Sequence, residues 1–270
     1  MDHRLEFACV GPQRTATSWL HKYLRAHPQL AFPLQVKETM FFDVHYRKGL
    51  DWYWRHFGSV GTDRRCGEIA PTYFDSPEAI ERLRQFDGLQ IIMGVRDPVE
   101  RTYSLFRHHR TEGRVPSDYF KAVKQMPRIE TSGMYSRHCP RWEAEFGVEN
   151  CHYVLQPLVE ASPQEVIDAV CKSLRVDTIM LPVESSERFG EATRPAWPLA
   201  AKVAAIMSSG LRSHGLHGPV EAAKRLGLRR ALYGRPVGEE PMPDAVRKHL
   251  QQVHSADIAF LHARFERQLM

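Results

Sequence analysis

Two stretches of this chain concentrate the residue types that bind multiply charged anions. In 11–20, GPQRTATSWL, one guanidinium (Arg14) and three hydroxyls (Thr15, Thr17, Ser18) fall within a few positions. In 91–110, IIMGVRDPVERTYSLFRHHR, Arg96 is followed by Ser104. An Arg can donate two parallel hydrogen bonds to a phosphate or sulfate, and a nearby hydroxyl adds a third donor. Both stretches therefore point to anion binding.

The elements around them would aim these donors. Residues 7–10 form a short apolar run of buried-strand type, and Trp19, Leu20, Tyr23 and Leu24 share one face of a helix opening at Ser18. A strand, a tight loop and a helix start gather unpaired backbone N–H groups at the positive end of a helix dipole. In the second stretch, residues 90–95 read as another buried strand, with Arg96 just past it, where open parallel sheets bind their ligands. Asp97, Pro98 and Glu100 then form an N-cap, a first-turn proline and a capping box. Ser104 lies seven residues beyond Asp97, about two turns, on the same helical face. Taken singly, each stretch leaves an alternative open: a polar strand-to-helix turn for the first, and a surface Arg96 paired with Asp97 or Glu100 for the second. The first loop is not the common nucleotide-triphosphate loop G-x-x-x-x-G-K-[ST], because Ala16 and Thr17 stand in place of the second Gly and the Lys.

Further strands are expected at 66–70 and 151–156. Helices are expected at 49–57, from Ser76-Pro77, to about residue 110, at 131–147 and at 162–174. Alternating strands and helices argue for an α/β fold, a central parallel sheet flanked by helices on both faces. Beyond about residue 185 only helical and loop signals remain, ending in two helices from Pro243 that restart at Ser255. No second-domain boundary is visible, so residues 1–270 read as one domain with a helical C-terminal region.

Composition narrows the function classes. The net charge of +5 comes from 37 basic and 32 acidic residues without a Lys/Arg run, which disfavours nucleic acid or a membrane surface as a partner. Cys9, Cys66, Cys139, Cys151 and Cys171 are scattered and contain no CxxC pair, so neither a zinc site nor a disulfide framework is expected. The first strand starts within a few residues of the N-terminus, and no stretch approaches 18 apolar residues. These features set a reducing cytoplasm as the expected compartment. Oligomeric state is not legible.

The two anion motifs, in this order, resemble those of the sulfotransferases that use 3′-phosphoadenosine 5′-phosphosulfate (PAPS). KETMFFD (37–43), KGLDWY (48–53) and GEIAPTYF (67–74) are similar to the blocks between those motifs in the heparan-sulfate and bacterial carbohydrate branch. The resemblance covers about residues 5–110 well, 130–175 loosely, and the C-terminal third only through its last helices. It implies a P-loop-like nucleotide-binding architecture. It implies that Arg14, Thr15, Ala16, Thr17, Ser18 and Trp19 wrap the 5′-phosphosulfate, several through backbone N–H, and that Arg96 and Ser104 hold the 3′-phosphate. Glu38 matches the family's catalytic base, and Arg14 takes the place of its usual Lys. Arg binds phosphate well but has no proton to give, unlike Lys. Ala16 replaces a usual Gly. Ile69 replaces a Lys of the heparan-modifying members, which counts against a heparan-like polymer.

The implied reaction moves a sulfuryl group from PAPS, leaving PAP, to a hydroxyl or amine of a small-molecule or saccharide acceptor, without a metal. Residues 110–130 and 180–240 are the expected acceptor loops. A nucleotide kinase and a non-catalytic nucleotide-binding protein are the alternatives. The missing GK[ST] counts against the first, and the second would not need Glu38, unless that residue merely pairs with Lys37. His108 and His109 read as surface residues.

Overall fold

The computed structural model describes residues 4–58, 64–182, 193–195, 233–236 and 241–269. Most of the 180–240 region expected to shape the acceptor site lies outside the described residues.

Five strands form one sheet: β1 (Leu5–Gly11), β2 (Leu30–Ala31), β3 (Arg65–Ile69), β4 (Gln90–Val95) and β5 (Cys151–Leu155), in the order β2-β3-β1-β4-β5. Every neighbouring pair is parallel. The connections are the helices α1 (Thr17–Leu24), α2 (Leu50–Trp54), α3 (Pro77–Leu83), α4 (Pro98–Thr111), α5 (Tyr119–Gln125), α6 (Arg128–Thr131), α7 (Tyr135–Phe146), α8 (Gln156–Ala161) and α9 (Pro163–Ser173). Two more, α10 (Asp244–Val253) and α11 (Ser255–Leu269), close the chain.

The apolar runs of β1 and β4 are explained by burial on both faces, as a parallel sheet requires. Phe7, Cys9 and Ile92 pack with α1 and with Val166, Ile167 and Val170 of α9 on one face. Ala8, Val10, Ile91 and Met93 pack on the other against Phe41, Phe42, Tyr53, Tyr73 and Trp142. The aromatic 49–57 segment is thus core material. All five cysteines are free and buried among these layers.

Sheet order places the site. The chain runs from β1 out to the edge strand β2, comes back to β3 beside β1, and then crosses to lay β4 on the other side of β1. The loops leaving β1 and β4 therefore diverge around a crevice at the strands' C-terminal ends, the usual ligand position in such sheets.

Four local expectations are corrected. Residues 131–147 are not one helix, because α6 ends at Thr131 and α7 begins at Tyr135. The fully buried Arg101 side chain occupies the break: a Cβ on Gly133 would lie 2.1 Å from its Nε. Strands β6 (Thr193–Pro195) and β7 (Tyr233–Pro236) pair antiparallel where only helix and loop were expected. They are too short, and contain too much proline, for a period-two pattern. Residues 110–130 carry α5 and α6 rather than loop alone. His109 is buried, not a surface residue, and burial pushes its imidazole down to about 4.

A buried polar chain fixes α4 against the C-terminal helices. Thr102 Oγ1 meets His254 Nε2 at 3.0 Å, and His254 Nδ1 meets Asp257 Oδ2 at 2.7 Å. Asp257 Oδ1 accepts from the N–H (2.9 Å) and hydroxyl (2.6 Å) of Ser136. Thr102, His254 and Asp257 are almost wholly shielded from water, so this hydroxyl–imidazole–carboxylate string joins helices rather than meeting a substrate.

Candidate active site

The β1–α1 loop is shaped by backbone conformation. Gly11 has φ 102°, and a Cβ there would lie 2.6 Å from the Pro71 carbonyl, so only glycine lets the chain leave β1 at this angle. Arg14 (φ 71°) and Ala16 (φ 59°) are left-handed, which curls the loop before α1. Thr15 is fully buried, and its hydroxyl donates to the Pro12 carbonyl at 2.6 Å. Gly94 of β4 makes room for it: a Cβ there would sit 2.2 Å from Thr15 Oγ1 and 2.8 Å from its carbonyl oxygen. Trp19 is committed to the core, with its backbone N–H donating to the Ala16 carbonyl at 3.0 Å and its ring edge-on to Tyr23.

Two cationic groupings result. On the β4–α4 side, Arg14 Nε donates to Ser104 Oγ at 3.0 Å, and Arg96 Nη1 donates to the Arg14 carbonyl at 3.4 Å. The Arg96 N–H donates to the Tyr135 hydroxyl at 3.1 Å, which fixes the turn into α4. The Asp97 side chain caps that helix by accepting from the Glu100 N–H at 2.8 Å. Burial first, then the like charges of Arg96 and Arg107, push the Arg14 guanidinium down to about 10. Arg96 and Arg107 thus stand close enough to repel Arg14, and a multiply charged anion would relieve that repulsion.

The second grouping lies at the start of α1. Lys37 Nζ donates to Ser18 Oγ (3.1 Å), Thr17 Oγ1 (3.4 Å) and Glu38 Oε1 (3.1 Å). The Lys37–Glu38 pair is roughly three-quarters buried, with side-chain exposures of 27% and 29%. Adjacent residues of a strand would point to opposite faces. Here residues 37–40 are not a strand: the chain turns at Met40 (φ 50°) into a wide helical turn at Phe41–His45, so the two side chains meet.

The Glu38 strap is anchored to β3. Thr39 Oγ1 donates to Glu68 Oε2 at 2.6 Å, and the Tyr73 hydroxyl donates to Glu68 Oε1 at 3.1 Å. The N–H groups of Phe41 and Phe42 donate in turn to Thr39 Oγ1 (3.2 Å) and the Tyr73 hydroxyl (3.1 Å). Glu68 is fully buried, and burial pushes its carboxyl up to about 7 against the lowering effect of the Thr39, Tyr73 and Tyr53 hydroxyls. Ile69 beside it is buried in the sheet core.

The expected residues therefore gather at one edge, but in two groups: Arg14, Arg96 and Ser104 on one side, and Thr17, Ser18 and Glu38 on the other. The donor set fits a ligand with two anionic ends. Sequence reasoning missed Arg107, although it follows Ser104 by one helical turn, and it gave Lys37 no binding role. Glu68 was visible only as part of the GEIAPTYF block. Among the described residues no cluster of three or more His, Cys, Asp or Glu could hold a metal ion, and no helix is long and apolar enough to cross a membrane.

The chain is similar to known proteins over much of its length. A family model described as "Sulfotransferase domain" matches residues 6–178. Bifunctional heparan sulfate N-deacetylase/N-sulfotransferase 4 of Mus musculus is 28% identical over 197 residues, covering 65% of this chain and 23% of the relative. Bifunctional heparan sulfate N-deacetylase/N-sulfotransferase 1 of Caenorhabditis elegans is 24% identical over 271 residues, covering 94% of this chain and 28% of the relative. The chain thus spans about a quarter of the length of these relatives. The crystal structure of a sulfotransferase from Alicyclobacillus acidocaldarius shares the fold, with a TM-score of 0.60, 22% identity, and coverage of 80% of this chain and 96% of that one. With the family match extending over more than half of its length, from β1 through α9, the chain belongs to the sulfotransferase domain family.

Proposed function

We propose that this chain transfers a sulfuryl group from PAPS to a hydroxyl or amine of an acceptor, with Glu38 as the base. The observation that carries this reading is the pair of cationic groupings flanking the C-terminal ends of β1 and β4, with a carboxylate beside one of them. PAPS supplies the activated sulfuryl group and carries a phosphate at its other end. Arg96 and Ser104 bind the 3′-phosphate, helped by the neighbouring guanidiniums. The β1–α1 loop and the α1 dipole bind the 5′-phosphosulfate.

The chain's task is to align the reactants and neutralise charge, as in phosphoryl transfer. Glu38 accepts the proton that the attacking hydroxyl or amine loses. Its fixed strap, tied to Glu68 through Thr39, holds the carboxylate in place. The guanidinium, ammonium and amide donors meet the ligand's charge without a metal. The similarity to heparan sulfate N-sulfotransferases supports a saccharide acceptor. The buried Ile69 leaves no charged side chain at one position where heparan-modifying members, by resemblance, carry Lys.

Thermal shift is the first test. In metal-free buffer, PAP at a hundredfold excess over its Kd should stabilise the protein by about 2.7 kcal/mol. A shift with ATP–magnesium and none with PAP would refute the assignment in favour of a nucleotide kinase. Turnover of labelled PAPS against a panel of amino sugars, hydroxylated sugars and small phenols then identifies the acceptor class.

A further inference from the structure

We infer that His254 and Asp257, from the C-terminal helices, are positioning residues for the 3′-phosphate site and set the preference for a nucleotide that carries this phosphate. This rests on the sulfuryl-transfer reading above, which gives the 3′-phosphate to Arg96 and Ser104.

Both of those residues stand a short step from the same buried string. Ser104 lies two residues beyond Thr102 on α4, and the Thr102 hydroxyl meets His254. The Arg96 N–H donates to the hydroxyl of Tyr135, the first residue of α7. Ser136 beside it donates its N–H and its hydroxyl to Asp257. Met134, at the cap position of α7, offers that helix no side-chain acceptor. Asp257 of α11 supplies the acceptor instead, with a negative charge at the positive end of the α7 dipole. Against the effect of its burial, the donors from His254 and Ser136 hold its carboxyl below the usual range. The helix carrying Ser104 and the helix whose Tyr135 holds Arg96 are thus locked together by one His–Asp pair.

Donor counting gives the string a direction. The Asp257 carboxylate only accepts, so His254 carries a proton on Nδ1, 2.7 Å away. In the neutral ring Nε2 is then an acceptor. Arg101 Nη2 donates to Thr102 Oγ1 at 2.9 Å, which leaves the Thr102 proton for His254 Nε2 at 3.0 Å. Arg101, Thr102 and His254 are fully buried. Losing the Thr102 hydroxyl therefore strands an imidazole acceptor and a guanidinium N–H away from water.

Apolar packing and polar string have separate tasks. Val99, Tyr103 and Phe106 of α4 pack with Val246 and Leu250 of α10, and Arg247 pairs with Glu100 at 3.0 Å. Apolar contact is non-directional and keeps the helices together. The hydrogen bonds fix their register, and with it the placing of Ser104 relative to Arg96. Helices α10 and α11 lie outside residues 6–178, so this support comes from a part of the chain that the family match does not include.

Thr102→Val deletes the hydroxyl and nearly keeps the shape. Titrated calorimetrically, it should bind PAP about fivefold or more weakly, with adenosine 5′-phosphate within about twofold of wild type. Thr102→Ser restores the hydroxyl and should bind PAP as wild type does. Unchanged PAP binding, or equal losses for both ligands, overturns the inference. A second measurement needs no variant. Coupling is reciprocal, so PAP should slow amide hydrogen exchange at His254 and Ile258 more than saturating adenosine 5′-phosphate does. Their N–H groups bond to the Leu250 and His254 carbonyls. Equal protection by the two ligands overturns the inference even if Thr102→Val fails to fold. If wild type binds PAP no more tightly than adenosine 5′-phosphate, it has no 3′-phosphate site and the sulfuryl-transfer reading itself is wrong.

Discussion

Glu68 ties the strap carrying Glu38 to the sheet, and its burial makes a quantitative prediction about pH. Its carboxyl is pushed from an ordinary 4.5 up to about 7, because the ionised form has no access to water. The folded state thus holds a proton that the unfolded chain releases, and stability falls as pH rises through this interval. Protonated Glu68 contributes fully below 4.5, and its contribution is lost by about pH 7. At about 1.4 kcal/mol per pH unit, the interval of 2.5 amounts to about 3 kcal/mol. With an unfolding entropy of about 2.1 cal/mol/K per residue over 270 residues, this corresponds to about 5 °C in Tm.

The perturbation is Glu68→Gln, which keeps the shape and removes the titration. The hydroxyls of Thr39 and Tyr73 both donate to the carboxylate, so the amide NH2 must face one of them. The O–H of the protonated carboxyl must face one of them too, so any cost of the amide is a constant offset that cancels in the slope. Wild type and variant should be melted in matched buffers from pH 4.5 to 8.5. The variant's Tm relative to wild type should climb by about 5 °C up to about pH 7 and then level off. A flat difference curve would refute the reasoning, since Glu68 would then not be held protonated by its burial.

Two further outcomes follow from the site. Glu38→Gln should cut kcat by at least about a hundredfold while PAP affinity and Tm stay close to wild type, as measured by steady-state turnover and thermal shift. Loss of PAP binding instead would make Glu38 a support of the loop. Gly94→Ala places a Cβ against Thr15, including its backbone carbonyl at 2.8 Å. It should destabilise by about 1–3 kcal/mol in denaturant melts and weaken PAP, because the loop that must move is the one proposed to hold the phosphosulfate.

The sequence by itself determined the local elements and most of the site's chemistry. The apolar runs of β1 and β4, the Ser76 and Asp97 caps and the helical faces of α1 and α4 are short-range features, set by neighbours within a few residues. Arg14, Arg96 and Ser104 were visible because their spacing from strand ends and helix starts is local too. Only the tertiary structure decided how they divide. The order β2-β3-β1-β4-β5 sets β1 beside β4, and that adjacency brings Arg14 across 90 residues to Ser104. The Lys37–Glu38 pairing depends on a turn that no periodicity announces, since Met40 adopts a left-handed conformation without being glycine. Glu68 was equally hidden: as a residue in a strand block it has no signal of its own. Its partners Thr39 and Tyr73 come from separate segments, and its perturbed carboxyl exists only because the aromatic layer of Phe41, Phe42, Tyr53 and Tyr73 closes over that face of the sheet. Burial is a property of the packed chain, and with it come the charges and basicities that the site uses.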